Sequence, residues 1–510
     1  MLHIGRDGWA TRVSSARTAE CRARDTVSSI HPAARPRYTG VMIPASIIRN
    51  RDVWFDLSRR SRAVHQSPLL WPIVLAAVVF FSSPVAATAD PEPTRDNVIA
   101  AMKPLDGQPT IEIDRSTLAG RVMCGYQGWF AAEGDASGRG WRHYASRRKF
   151  EPGFCTIDLW PDLAEFDSGE KFATPFRHAD GSVAHVFSSA NRQTVLRHFN
   201  WMKNYGIDGV FVQRFAGETI QPKDLRQCNT VLAHCREGAH LHGRTYAVMY
   251  DLSGLREGGT QTVIDDWKLL RDKMRIGRDE NDSAYQHHNG KPLVAVWGIG
   301  FNDGRKYTLT ECARLIEFLK NDPQYGGCTV MLGVPSGWRT LEADSVKDPD
   351  LHRVVGLADV ISPWTVGRYA KLVEVESHAK RRWEPDVAWC RERQRDYLPV
   401  VFPGFSWHNM NPRSPLDQIP RQRGKFLWKQ MTEAKQAGAA MIYVAMFDEM
   451  DEGTAIFKCT NDVPVGASQF VTSDGLPSDH YLWLTGQGRK MLRGEIPMSS
   501  EPPIRDGAAP

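Results

Sequence analysis

Nine cysteines in 510 residues, none in a Cys-x-x-Cys pair or at Cys/His ligand spacing, leave no zinc-ribbon or thioredoxin-like signature. Glycine-rich phosphate loops are missing too. No G-x-G-x-x-G and no G-x-x-x-x-G-K-[ST] occurs, which removes the nucleotide-binding fingerprints. Neither H-E-x-x-H nor an EF-hand loop is present, and no G-x-S-x-G elbow marks a serine hydrolase. Low-complexity stretches and solenoid-length repeats are absent. No cofactor and no catalytic metal is therefore expected.

The first 89 residues differ from the rest. They hold 12 arginines and no lysine against 5 acids, a charge of +7 that exceeds the +5 of the whole chain. The remainder is slightly acidic, so nothing suggests a nucleic-acid partner. Residues 69–81 read LLWPIVLAAVVFF, behind Arg49, Arg51, Arg59, Arg60 and Arg62 and ahead of Ala87-Thr88-Ala89. A basic segment, an apolar core and a small-x-small site in that order predict a secretory signal and export to the periplasm or beyond. The run is too short for a comfortable span, so no stable membrane span is expected after cleavage; an uncleaved anchor is the alternative. Met42 would start a signal of ordinary length. Residues 90–117 read as a linker or leading arm, 118–495 as the folded domain and 496–510 as a disordered tail. Of the eight cysteines beyond Cys21, buried free thiols are the expectation. Oligomeric state has no sequence signature.

Eight apolar, β-branched runs recur: 122–130, 209–215, 245–250, 292–298, 329–334, 360–364, 399–405 and 440–447. Near-continuous apolar runs suit parallel strands covered on both faces. Helical patterns separate them, at 222–240, 262–274, 309–320, 345–355, 369–394 and 425–437, with a closing helix at 479–493. Eight strands alternating with helices predict an α/β fold, a (β/α)₈ TIM barrel. The first connection, 131–190, is far longer than a usual βα loop and has room for a hairpin of its own. His240, His242, His287 and His288 fall away from the strand ends and read as surface histidines.

Barrel enzymes work at the C-terminal ends of their strands. Tryptophan stands at five of these ends: Trp129, Trp297, Trp338, Trp364 and Trp407. Indole faces stack on the C–H faces of sugars, while Tyr126, Gln213, Arg214, Tyr250 and His408 can read hydroxyls. The combination predicts a polysaccharide or glycan as substrate. Glycoside hydrolysis needs two carboxyl groups flanking the bond. Asp251 ends the third run. The eighth offers Asp448, Glu449, Asp451 and Glu452, of which strand alternation favours Glu449 first and Asp448 second. Asp251, Glu449 and Asp448 are thus the catalytic candidates, and Glu452 joins the substrate-binding set. Two other readings remain open: a carbohydrate-binding barrel without turnover, and a lyase using Tyr250 or His408 as base with Arg214 neutralising a uronate.

The segments GYQGWF (125–130), DLWPD (158–162), HFNWMKNYGIDGVFVQRF (198–215), ISPWTVGRY (361–369) and FDEMDEGTAIFK (447–458) together resemble the glycoside hydrolase family 71/99-like proteins, exported bacterial barrels sometimes described as xylosidase/arabinosidase. That resemblance spans roughly residues 120–490 and implies a glycosidase. FDEMDEGT looks like the W-N-E-W-x-E-G-T segment of family 99 endo-α-mannosidases, which would put Glu449 on that family's acid and Glu452 on the one before Gly-Thr. Family 99 carries its catalytic pair as two glutamates three residues apart. Tyr250-Asp251-Leu252-Ser253-Gly254 lacks the second acid and looks more like the F-D of family 71 α-1,3-glucanases.

Overall fold

The computed structural model describes residues 92–107 and 112–505. The segment 1–89, with its export motif and Met42, lies outside the described residues.

The apolar runs become eight parallel strands: β1 (Val122–Tyr126), β2 (Gly209–Phe215), β3 (Thr245–Asp251), β4 (Lys291–Trp297), β5 (Thr329–Pro335), β6 (Val360–Trp364), β7 and β8 (Ile442–Val444). β7 is two short pieces, Asp396–Tyr397 and Val400–Val401. The first piece pairs with β6 and the second with β8. Pro399 lies between them and supplies no N–H to the ladder, although its carbonyl still accepts from the Tyr443 amide at 3.0 Å. β8 pairs in turn with β1, Met123 opposite Tyr443. The sheet therefore curls round on itself as the expected TIM-type barrel.

Two strands sit differently from the reading of the sequence. β1 stops at Tyr126 rather than Phe130, because the next two amides turn to a side chain at the far end of the chain (below) and Gly128 takes a φ of 60°. β7 begins and ends earlier than 399–405, since Phe405 leaves the sheet to exchange hydrogen bonds with Ile419.

Helices cover the outer face. Arg192–Tyr205 starts at Asn191, whose side chain accepts from the Gln193 and Thr194 amides, and ends at Gly206 with a φ of 76°. These are the polar N-cap and left-handed C-cap that terminate helices. The long first connection carries an antiparallel hairpin, Phe172–Arg177 with Val183–Val186.

The flanks of the domain are more ordered than expected. Residues 92–107 carry a helix, Arg95–Ala100, and Arg95 donates to the Thr219 carbonyl at 2.7 Å. The stretch 496–505, expected as a disordered tail, is docked instead. Trp428 donates to the Ser499 carbonyl, and Arg505 forms a two-pronged ion pair with Asp479. His240 and His288 are buried rather than on the surface, because each finds a carboxylate, Asp282 at 3.0 Å and Asp396 at 2.9 Å. The eight cysteines from Cys124 to Cys459 are free, seven of them buried. Among the described residues no helix is long and apolar enough to cross a membrane.

Candidate active site at the C-terminal end of the barrel

Side chains alternate between the two faces of a strand, and register carries one face around the ring. Phe215 stands opposite Asp251, Asp251 opposite Trp297, Trp297 opposite Gly333, and Pro335 opposite Trp364. Gln213 and Tyr443 share this inner face; Gln213 donates to the Tyr443 hydroxyl at 3.3 Å. Asp251 and Glu449 both bear on that hydroxyl, which burial together with these two carboxyls keeps protonated. Two carboxyl groups from β3 and from the end of β8 thus look onto one phenol at the top of the barrel.

The other face holds three residues that the sequence placed in the site. Arg214 and Tyr250 both reach Asp266 on the helix Thr260–Lys273. The Arg214 Nε and Nη2 donate at 2.6 and 2.7 Å, and the Tyr250 hydroxyl donates at 2.7 Å. Tyr126 meets His198 Nδ1 at 2.9 Å on the helix Arg192–Tyr205. All three are buried between sheet and helices, away from any ligand at the mouth. The lyase reading loses its arginine and one of its two bases for the same reason.

The tryptophans divide as well. Trp297 and Trp364 are half-buried, packed edge to face with centroids 5.4 Å apart, and both belong to the inner ring. Trp338 is fully buried against Trp389 behind the rim and is no part of the site. Trp129 is sandwiched between His143 at 3.9 Å and Phe215 at 5.3 Å, so both its faces are covered. Trp407 is only 6% exposed, and its indole N–H donates to Ser414 and Gln418. Beside it, half-buried His408 bonds the Ser414 carbonyl through Nδ1. The five-tryptophan platform is therefore corrected: only Trp297 and Trp364 stay partly open on the inner ring, and Trp297 is itself packed by Phe301 at 4.8 Å and Arg305 at 4.9 Å.

The acids after β8 have separate tasks. Asp448 is fully buried and accepts from the amides of Gln127 and Gly128 at 2.7 and 2.9 Å. It ties the end of β1 to the end of β8, and burial lifts it to about 6. It is a positioning group rather than the catalytic candidate that the sequence suggests, because both its oxygens are spent on backbone. Glu449 accepts from Gln127 Nε2 at 2.7 Å and from the Thr454 hydroxyl at 2.6 Å. Burial, then the neighbouring Glu452 and Asp451 carboxyls, push it well above the ordinary carboxylate range. Asp451 is raised for the same two reasons, burial and Glu452, and lies 3.1 Å from His143 Nδ1. Glu452 is half-buried, and burial lifts it to about 7. Neighbouring like charges resist ionising together, so the cluster holds its protons to higher pH than isolated carboxyls do.

Asp251 is also raised overall, by burial; the Arg305 guanidinium, the Ser253 hydroxyl and the Ser253 amide offset only part of that rise. Arg305 arrives from the loop after β4, lies 4.9 Å from the centre of the Trp297 ring, and pairs with Asp303 at 3.0 Å.

Buried polar ties hold these loops. Asp158, from the long first connection, accepts from Ser406 at 2.5 Å and from the amides of His408 and Asn409 at 2.6 and 2.8 Å. Arg421 donates to the carbonyls of Gly453 and Ala455. Gly453 has a φ of 63°, and a β-carbon there would lie 2.7 Å from the Ser406 amide nitrogen; only glycine lets the seventh and eighth loops approach so closely.

Four residues of the site had not been singled out in the sequence: Gln127, Tyr443, Arg305 and His143. The first two lie on the inner parity of β1 and β8 and could have been found by counting alternate residues. Arg305 and His143 come from irregular loops with no pattern to announce them. Among the described residues, no group of three His, Cys, Asp or Glu side chains could hold a metal ion.

No protein-family model matches this sequence, and no curated protein matches it. Solved structures do match. The GH99 endo-alpha-mannosidase from Bacteroides thetaiotaomicron is similar over 74% of this chain and 99% of its own, at 16% identity and a TM-score of 0.56. Its complex with bis-tris-propane gives 0.54 at the same identity and coverage. At that identity the likeness is one of fold: this chain shares the barrel fold of that enzyme.

Proposed function

We propose that this protein is an exported glycoside hydrolase that cleaves a polysaccharide or glycan with Asp251 and Glu449. The observation that carries the reading is the pair of buried carboxyl groups at the ends of β3 and β8 that both act on the Tyr443 hydroxyl, one inside a carboxyl cluster and the other near a guanidinium. Glu449 sits in a cluster that retains protons, as a general acid needs. Asp251 sits beside a guanidinium, as a base or nucleophile needs. Glu449 would protonate the departing glycosidic oxygen. Asp251 would attack the anomeric carbon or take a proton from the attacking water. Trp364, half-buried on the inner face, is the aromatic surface best placed to meet a sugar. The fold likeness to a glycan-cleaving barrel supports the reaction class, and the basic-apolar-A-x-A order of residues 49–89 supports export.

The test is a screen of the purified protein against neutral, sulfated and uronic polysaccharides, reading both binding and reducing-end release. Release from one class supports the hydrolase. Binding without release, lost in Trp364→Ala and unaffected by Asp251→Asn, would make the barrel a carbohydrate reader instead.

A further inference from the structure

Beside Glu449, between the ends of β1 and β2, lies a small recess lined by Gln127, Trp129, Arg139, Gln213, Gln227 and Glu218. It adjoins the candidate site, since Gln127 is the donor to Glu449 and Gln213 the donor to Tyr443; Gln227, Cys228 and Val231 of the helix Pro222–His242 close its back. Its lining is unusual in one respect. Gln127 Oε1, Gln213 Oε1, Gln227 Oε1, Trp129 Nε1 and both Nε and Nη1 of Arg139 are buried without a hydrogen-bond partner. Buried polar groups without partners are rare in folded proteins, and each one calls for an explanation.

The orientation of the three amides is fixed from behind. Gln127 commits its nitrogen to Glu449, Gln213 to Tyr443, and Gln227 to the Gly128 carbonyl at 3.3 Å. Each therefore leaves its oxygen unpaired at the recess. Arg139 is anchored through Nη2 by Glu218 at 3.1 Å and Asp224 at 3.0 Å, which neutralise its charge and leave its other N–H groups. The recess thus presents three acceptors and a few donors, with little net charge to attract an anion.

We propose that this recess is a specificity pocket that receives the exocyclic hydroxymethyl group of a neutral hexose at the cleavage site. The inference rests on the hydrolase reading of the mouth. A hydroxyl both donates and accepts, which suits a mixed lining of amide oxygens and N–H groups. The free space is about that of one water molecule, so a single hydroxyl on a one-carbon arm fits and a sugar ring does not. A carboxylate has only acceptors: it could meet the Arg139 and Trp129 N–H groups but would leave the three amide oxygens unpaired, whereas a hydroxyl answers both. A pentose has nothing to insert. The pocket thus selects hexoses over pentoses and over uronic acids.

Binding of matched sugars tests this without requiring turnover. D-glucose, D-xylose and D-glucuronate differ only in the group on C5, as do D-mannose, D-lyxose and D-mannuronate. Saturation-transfer NMR and calorimetry on the wild-type protein should show, in at least one series, the hexose binding at least about tenfold tighter than its pentose and uronate, since a site built to pair a hydroxyl rejects the analogue without one. Gln227→Leu, checked for folding by circular dichroism, should abolish that preference. Equal binding within both series, no binding by any of the six, or a hexose preference that survives Gln227→Leu overturns the proposal. Hydrolase failure is read separately: hexose preference with no reducing-end release in any screen would keep the pocket and remove the catalytic reading.

Discussion

Gln127 Nε2 donates to Glu449 Oε1 across 2.7 Å, so one hydrogen bond joins the first strand's end to the last strand's end at the mouth of the barrel. The same two ends are joined through backbone by Asp448. Closing the sheet therefore builds the carboxyl cluster: Glu449 is buried and near Glu452 and Asp451 because β8 meets β1. At the end of β3, Asp251 is set near Arg305. That asymmetry leads to predictions that separate the two carboxyls.

Arg305 lowers Asp251 by Coulomb attraction against the rise caused by burial. Removing the cation should raise Asp251 further, so the acidic limb of the kcat/KM profile in Arg305→Gln should move to higher pH. Arg305→Lys should restore most of the shift. An acidic limb that stays in place in Arg305→Gln would mean that Asp251 is not the ionised partner.

Glu452 supplies a stability test. Burial raises it from 4.5 to about 7 in the folded protein. A raised folded value means that the proton favours the folded state. That stabilisation is complete below about pH 4 and disappears as pH rises past 7. Glu452→Gln should match wild type in urea unfolding near pH 4 and exceed it by about 3 kcal/mol near pH 8. A difference independent of pH would contradict the assignment.

Arg214 and Tyr250 should behave as structural residues. Arg214→Met strands the buried Asp266 carboxylate and should cost about 3–5 kcal/mol in chemical denaturation. Tyr250→Phe should cost about 1 kcal/mol. In both, KM of the surviving folded enzyme should stay within about twofold of wild type. A large rise in KM at unchanged stability would return these residues to the site.

These two residues also show where the sequence could be read and where it could not. Apolar runs and glycine caps located the strands and helices because buried strands and helix ends have local chemistry. The pleat was just as local: Arg214 lies one residue from Gln213, and that single step moves a side chain from the mouth to the helix layer. Reading every polar residue at a strand end as a site residue ignored this period. Trp338 and Trp129 failed for a different reason. Their covering partners, Trp389 and His143, come from a later helix and from the irregular loop that follows β1, and no spacing along the chain reveals such contacts. Asp448 followed the same rule, since its two oxygens are claimed by amides more than three hundred residues earlier. Arg305 was invisible for the converse reason: an irregular loop carries a functional side chain into place without periodicity.

The central claim is that Asp251 and Glu449 form the hydrolytic pair. Its most direct test is kcat for Asp251→Asn and Glu449→Gln on whichever glycan the wild-type protein cleaves, with circular dichroism to establish that both variants fold. Each neutral replacement should lower kcat by at least about a hundredfold. Near-wild-type kcat in either folded variant would contradict the pairing.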